Sequence, residues 1–381
     1  MNRAHRKPTF SVICPTYNRS RAITDTIASV QRQTFPDWEL LVVSDASSDD
    51  TDTWVTRCAA DDPRIRLIRT RRHGHPSGPR NTGAAAAEGA CIAYLDHDDQ
   101  WRDDHLEVLL SAFTDGAELV ATGCVRLDRA GRETSRTDVT ALCWHPETQL
   151  LSAMFEPSRV AHRRALLDQV GGWRDGHGLE DWDLWLRLSD AGHRFTTMPD
   201  RTASLLDDVG TRRYRMLRRR RLTLAAFEVP QHAQALQQEL QRRTHVMAFR
   251  AARLADTLEW YDRMEATGGL VVPRGFAGSL AAQITRESSS EEGRTVDLSR
   301  PDLVVTHREG LFEVSQVLWC TTEEHADRIS RLVRVVQARQ FALIDQLAQE
   351  VTSRHVDGVG SSVPKQRHRG AGDRPHDLTN G

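Results

Sequence analysis

Between Phe10 and Thr122, short uninterrupted apolar runs alternate with stretches of helical spacing, and this rhythm admits few architectures. Phe10–Cys14 reads as a buried strand ended by Pro15. Ile23–Gln31 has the helical period, and Trp38–Val43 is a second strand. Ser47–Thr51 is a cluster of capping side chains that opens a helix over Thr51–Ala60. Ile65–Ile68 is a third strand, Thr82–Glu88 an alanine-rich helix and Cys91–Leu95 a fourth strand. Asp103–Phe113 is a helix and Glu118–Thr122 a strand. Strands that are apolar throughout need cover on both faces. Repeated β-α-β units of this kind predict an α/β fold with a mostly parallel central sheet and helices on both sides. Ligands of such sheets bind at the carboxyl ends of the strands. The polar clusters fall there: Pro15–Arg19, Asp45 and Asp96–Asp99.

The texture changes after about Thr211. Tyr214–Phe227, Gln231–Glu265 and Thr322–Val351 read as long helices rich in Ala, Leu, Gln and Arg. At roughly 100–200 residues per domain, 381 residues predict two domains or three. The expected division is a flexible N-terminus over 1–8, an α/β domain over 9–211, a mainly helical domain over 212–351 and a disordered tail over 352–381.

Composition excludes several classes. Net charge is -2, from 51 basic and 53 acidic residues, so no global field draws the chain to nucleic acid. No apolar run reaches the ~18 residues of a spanning helix. The six cysteines (Cys14, Cys58, Cys91, Cys124, Cys143 and Cys320) are scattered without zinc-site spacing, and the N-terminus carries no apolar leader. A cytoplasmic protein is expected. Arg212–Arg221 holds seven arginines in ten residues, which reads either as a solvated face or as a peripheral dock for an anionic membrane, a phosphate-bearing acceptor or an acidic partner.

Five constellations carry chemistry. Asp96-His97-Asp98-Asp99 follows a buried strand; its hard oxygen donors suit Mg²⁺ or Mn²⁺, and its bland alternative is an acidic turn before the next helix. Pro15-Thr16-Tyr17-Asn18-Arg19 offers a ring to stack on a base and an arginine for a diphosphate, or is an ordinary strand-to-helix loop. Asp45 is placed to accept from a ribose or a base N–H, while its acidic neighbours Asp49, Asp50 and Asp52 read as capping residues. Gly78–Gly83, opening a helix, makes Arg80 part of an anion site or simply a cap. Glu180-Asp181 begins another helix, where the pair either complements the dipole or supplies a general base. Trp101, Trp173 and Trp182 offer flat surfaces for an acceptor sugar, against the commoner fate of tryptophan as core.

The order Phe10-Ser-Val-Ile-Cys-Pro-Thr-Tyr-Asn18, Trp38–Asp45, Pro79-Arg-Asn-Thr-Gly83, Tyr94–Trp101, Gly171-Gly-Trp173 and Glu180-Asp-Trp-Asp-Leu-Trp185 resembles a family 2 glycosyltransferase of the GT-A fold. The resemblance covers roughly Thr9–Asp200. It implies a Rossmann-like sheet and an inverting, metal-dependent transfer of a sugar from a nucleoside diphosphate sugar. It implies that Pro15, Thr16, Tyr17 and Arg19 hold the nucleotide, with Asp45, Arg80, Asp96 and His97 around base, ribose and phosphate. Asp96 and Asp98 match the Asp-x-Asp motif that holds Mg²⁺ or Mn²⁺, and Asp181, beside Glu180, matches the catalytic base.

Three departures accompany the resemblance. Ser44-Asp45 stands where many relatives have two acidic residues. Thr202–Val209 lacks the histidine that often reaches the metal and holds only Asp207 and Asp208. Gln-x-x-Arg-Trp is missing, which predicts one sugar per event. The rival readings are a nucleotidyltransferase, disfavoured by the missing Gly-rich loop, and a non-catalytic nucleotide-sugar-binding scaffold. The acceptor is open between a saccharide, a lipid-linked glycan, a natural product and a peptide. The helical region is expected to bind it or to form a homodimer.

Overall fold

The structure is a computed structural model, and it describes residues 7–175, 178–207, 219–288 and 303–359. Elements are numbered in chain order. The first half contains β1 (Phe10–Thr16), α1 (Ile23–Gln31), β2 (Trp38–Ser44), α2 (Thr51–Asp61), β3 (Ile65–Arg69), α3 (Ser77–Ala86), β4 (Cys91–Tyr94), β5 (Gln100–Trp101), α4 (His105–Thr114), β6 (Leu119–Leu127) and β7 (Glu133–Arg136). It continues through α5 (Pro146–Leu151), β8 (Val160–Arg163), α6 (Ala165–Val170), α7 (Glu180–Asp190) and β9 (Phe195–Leu206). The second half contains β10 (Arg219–Phe227), α8 (Pro230–Leu240), α9 (Arg243–Ala266), α10 (Leu280–Ser288), β11 (Leu303–Arg308), β12 (Leu311–Trp319), α11 (Glu323–Val336) and α12 (Ala338–Val359).

The large sheet runs β3-β2-β1-β4-β8-β6-β9-β5, with β7 alongside β6. The stretch from β3 to β4 is parallel, as the apolar runs predicted; β8 enters antiparallel between β4 and β6. Period-two alternation splits the central strands between two cores. Phe10, Val12 and Cys14 join Ile27, Val55 and Leu109 on one side. Ile13, Leu41 and Val43 join Leu166, Leu184 and Trp185 on the other. Helices therefore cover both faces.

Two local readings shift. β1 continues through Pro15 to Thr16, because its pairing with β4 ends at Ile13 and the proline sits on a strand flanked on one side only. The Gly78–Gly83 motif lies inside α3, which begins at Ser77. Gly83 lets α3 lie close to β1: a Cβ there would meet Ile13 Cγ2 at 2.6 Å.

The second region packs its helices around a three-stranded antiparallel sheet, β10-β12-β11. The helix expected over Tyr214–Phe227 is replaced by strand over its described part. Leu222 and Leu224 are buried with Thr223 between them half-buried, a period of two, and β12 supplies a distant partner that local propensity does not register. The run Gln231–Glu265 breaks into α8 and α9, and Thr322–Val351 breaks at Gln337 into α11 and α12. Arg212–Arg218 lies outside the described residues, as do the expected flexible start up to residue 6 and the tail from 360. No helix among the described residues is long and apolar enough to cross a membrane.

One element belongs to both cores. Leu184, Trp185 and Leu188 of α7 face the large sheet, while Trp182 and Leu186 pack into the core of the second region. The helix that begins with Glu180-Asp181 is thus clamped from two sides.

Candidate active site

The carboxyl ends of β1, β2 and β4 open into a cleft of about 530 Å³, closed on its far wall by the start of α7. Pro15, Thr16, Tyr17, Arg19, Asp45, Arg80, Asp96, His97, Asp98, Glu180 and Asp181 all line it. Residues more than 160 positions apart in sequence therefore share one cavity.

The loops after β1 and β2 are held together tightly. Asn18, Ser20 and Ala46 have φ of 48°, 45° and 56°, three of the four non-glycine residues in the left-handed region among those described. Such backbone persists only where its surroundings over-determine it. Here Thr51 Oγ1 accepts from the N–H groups of Arg19 at 2.8 Å and Ser20 at 2.7 Å, and Asn18 exchanges hydrogen bonds with Ser48. Asp45 is buried and spent within the protein. It accepts from His73 N at 2.6 Å, from Gly74 N at 2.9 Å and from the Arg72 guanidinium. Arg72 in turn lies 3.5 Å over the Tyr17 ring.

The turn after β4 sorts its three carboxyls. Asp99 points inward, accepting from Ser158 Oγ at 2.5 Å and from Leu206 N at 2.9 Å; burial, then Asp98 and Asp96, push its pKa well up. Asp96 and Asp98 face the cleft with side chains 32% and 21% exposed, each met by a guanidinium at 2.7 Å: Arg80 on Asp96, Arg19 on Asp98. Mutual repulsion among three carboxyls within four residues is thus relieved by one buried carboxyl and two arginines. His97 Nδ1 accepts from Tyr17 N at 3.3 Å; burial and then Arg19 push its pKa down to about 3, so the ring is neutral.

Arg80 is the hub. It is 2% exposed, bonds Asp96, reaches Glu180 at 3.6 Å and lies 4.4 Å over the Trp173 ring. Next to it, Asp181 presents its carboxyl to the cleft and accepts from Trp182 N at 2.8 Å. Burial, then the charge of Glu180, push its pKa up to about 7.

The three tryptophans expected to meet an acceptor do not line this cleft. Trp101 is buried, stacks on His105 at 4.2 Å and donates to Ser158 O. Trp173 supports Arg80 and donates to Tyr94 OH. Trp182 donates to Gln149 O and meets His325 edge-on. Each has an internal partner for its indole N–H, which is what makes a buried tryptophan affordable. Asp207 is also elsewhere, accepting from Thr134 on the wall of another cavity, and Asp208 lies outside the described residues.

Arg72, Arg126 and Glu156 line the cleft without having been singled out in the sequence. Arg72 had a signal, since it follows β3 at the same sheet end as the other loops. Arg126 and Glu156 pair with each other from β6 and from the loop before β8, an encounter that no local pattern announces.

The family model for glycosyl transferase family 2 matches residues 11–172. The chain carries a glycosyl transferase family 2 domain. The α/β sheet with helices on both faces is the GT-A arrangement that the resemblance implied. Among curated relatives, the Escherichia coli UDP-Glc:alpha-D-GlcNAc-diphosphoundecaprenol beta-1,3-glucosyltransferase WfgD is 42% identical over 101 residues, 26% of this chain and 39% of its own. The Campylobacter jejuni GalNAc(5)-diNAcBac-PP-undecaprenol beta-1,3-glucosyltransferase is 35% identical over 119 residues, 31% and 38% of the two chains. The match thus spans less than half the length of either relative. The S. aureus TarS 1-349 structure in complex with UDP-GlcNAc aligns at 18% identity and TM-score 0.48, covering 61% of this chain and 65% of that one. The family 2 domain holds the strand-end loops of the cleft, and α7 with Glu180 and Asp181 lies just beyond its matched residues.

Proposed function

We propose that the chain is an inverting, non-processive glycosyltransferase that moves a sugar from a nucleoside diphosphate sugar to an acceptor nucleophile, with Asp181 as general base. The observation that carries this reading is the position of Asp181: its carboxyl, with a pKa pushed up to about 7, lines the same cleft as the Asp96–Asp98 turn. A base poised near the working pH combines a substantial deprotonated fraction with real proton affinity, and such a group contributes ~10²–10⁴-fold. It removes the acceptor proton as the nucleophile attacks the anomeric carbon, and a single displacement inverts that carbon.

The other side chains bind and orient. Tyr17 and the Arg72 guanidinium over it form the base end of the cleft. Asp45 holds the Arg72–Gly74 segment in place, so its part in donor binding is indirect. Arg19 and Arg80 carry positive charge to the diphosphate end. Glu180, through Arg80, keeps that guanidinium aligned between α7 and Asp96.

Asp96 and Asp98 fit a hard divalent cation. They are oxygen donors, partly exposed and adjacent, and Mg²⁺ typically takes one or two carboxylates with phosphate oxygens completing its shell. Mg²⁺ or Mn²⁺ held there would neutralise charge developing on the diphosphate leaving group.

Asp181→Asn tests the base directly. Donor affinity by calorimetry should stay near the wild-type value while transfer falls by ~10²-fold or more. Retained turnover would remove Asp181 from this role.

A further inference from the structure

A second cavity, about 540 Å³, lies between the two regions of the chain. Its walls come from β7 and the turn after it, from α5 and from α9, α10 and the α11–α12 junction. Pockets that bury small ligands span ~300–1,000 Å³. Its lining is unusual in kind: eight of its 22 residues are serine or threonine, and Gln337, Gln340, Trp260 and Tyr261 add amide and aromatic surface. The five charged residues in the wall are already engaged. Glu287 accepts from the N–H groups of Val139 and Thr140 at 3.0 and 3.1 Å. Arg136 pairs with Glu133 and Asp207 accepts from Thr134, while Asp138 and Arg253 have partners of their own. The hydroxyls of Thr134, Thr137 and Thr148 are likewise engaged within the protein, so recognition there falls to Ser135, Thr140, Ser152, Thr257 and Ser288 and to the amides. Thr140 Oγ1 is buried in the wall with no hydrogen-bond partner among the described residues.

This cavity and the catalytic cleft share a wall one residue thick. Along the chain after α5, Ser152 and Met154 line the second cavity while Ala153 and Glu156 line the cleft. At the end of β9, Leu206 faces the cleft and Asp207 the cavity. Arg159, fully buried, ties the two: it donates to Thr137 Oγ1 at 2.8 Å and Met154 O at 2.9 Å on the cavity side and approaches Glu156 at 3.3 Å on the cleft side.

We propose that the second cavity is a saccharide subsite, holding the sugar units of the acceptor next to the one whose hydroxyl is glycosylated. The proposal rests on the glycosyltransferase reading for the word acceptor, but the binding of sugar does not. A polyhydroxylated, uncharged ligand matches a wall of hydroxyls and amides whose charges are internally satisfied.

The test is calorimetry on the full chain with short gluco- and chito-oligosaccharides, free and as octyl glycosides. Ser152→Trp and Ala141→Trp fill the cavity from two sides, and nucleoside diphosphate binding serves as a control for folding and for the cleft. The expected result is that a free oligosaccharide binds the wild type and that both substitutions weaken it at least about tenfold, with nucleotide affinity unchanged. Binding by no sugar, binding only of the octyl glycosides, or sugar binding untouched by both substitutions would each overturn the proposal. Failure of the transferase reading would show separately, as a wild type that binds sugar in this cavity but neither binds nor turns over any nucleotide sugar.

Discussion

Asp181 differs from Asp96 and Asp98 in having no guanidinium bonded to it among the described residues. Asp96 has Arg80 and Asp98 has Arg19, whereas Asp181 has burial and the neighbouring charge of Glu180. Its pKa near 7 has two consequences of opposite sense. Turnover requires the ionised form, so kcat/KM should rise with pH up to about 7 and then level off, a profile measurable with any accepted donor. Stability moves the other way. The folded state keeps a proton that the unfolded chain releases near pH 4, so this group's contribution is complete below that pH and is lost as pH rises through 7. Wild-type stability minus that of Asp181→Asn should therefore fall as pH rises across that window. A difference independent of pH would contradict the assignment. At the same scale, Asp98→Ala should abolish any enhancement of donor binding by Mn²⁺, and equal enhancement in both proteins would exclude Asp98 as a ligand.

The elements that matter most are α3 and α7, each set by a close packing. α3 can approach β1 only because residue 83 has no side chain. In Gly83→Val the added methyls would collide with the fully buried Ile13, and overpacking of this kind costs about 1–3 kcal/mol, visible as a lower Tm. Because Arg80 rides on α3, the same variant should also weaken donor binding. α7 is held by Trp182 in one core and Trp185 in the other, so Trp182→Ala should cost about 3–5 kcal/mol in denaturant unfolding and lower kcat by loosening Asp181. Several of these elements were legible from pattern alone: α1 matches its expected span, and the apolar runs at Trp38, Ile65 and Cys91 are β2, β3 and β4. β8 and the β11–β12 hairpin were not, since short or half-polar strands carry weak local signals. The leucines and alanines of β10 favour a helix locally, against the strand that it forms.

At the level of the whole molecule, order along the chain and proximity in space part company. The alternation of apolar runs was sufficient to require a covered sheet, and the sheet placed the loops after β1, β2 and β4 at one end. The occupants Tyr17, Asp45, Asp96 and Asp98 were therefore readable in advance, because strand direction alone carries them there. What the side chains do in that place depended on contacts that only folding makes. Asp45 turned out to be consumed by the segment after β3, Trp173 to support Arg80, and Asp99 to be a buried anchor. Glu156 and Arg126, and the second cavity with its hydroxyl wall, come from segments that are remote in sequence. Local periodicity encodes which face of an element is apolar; it carries no record of which distant polar group will meet another across the interior.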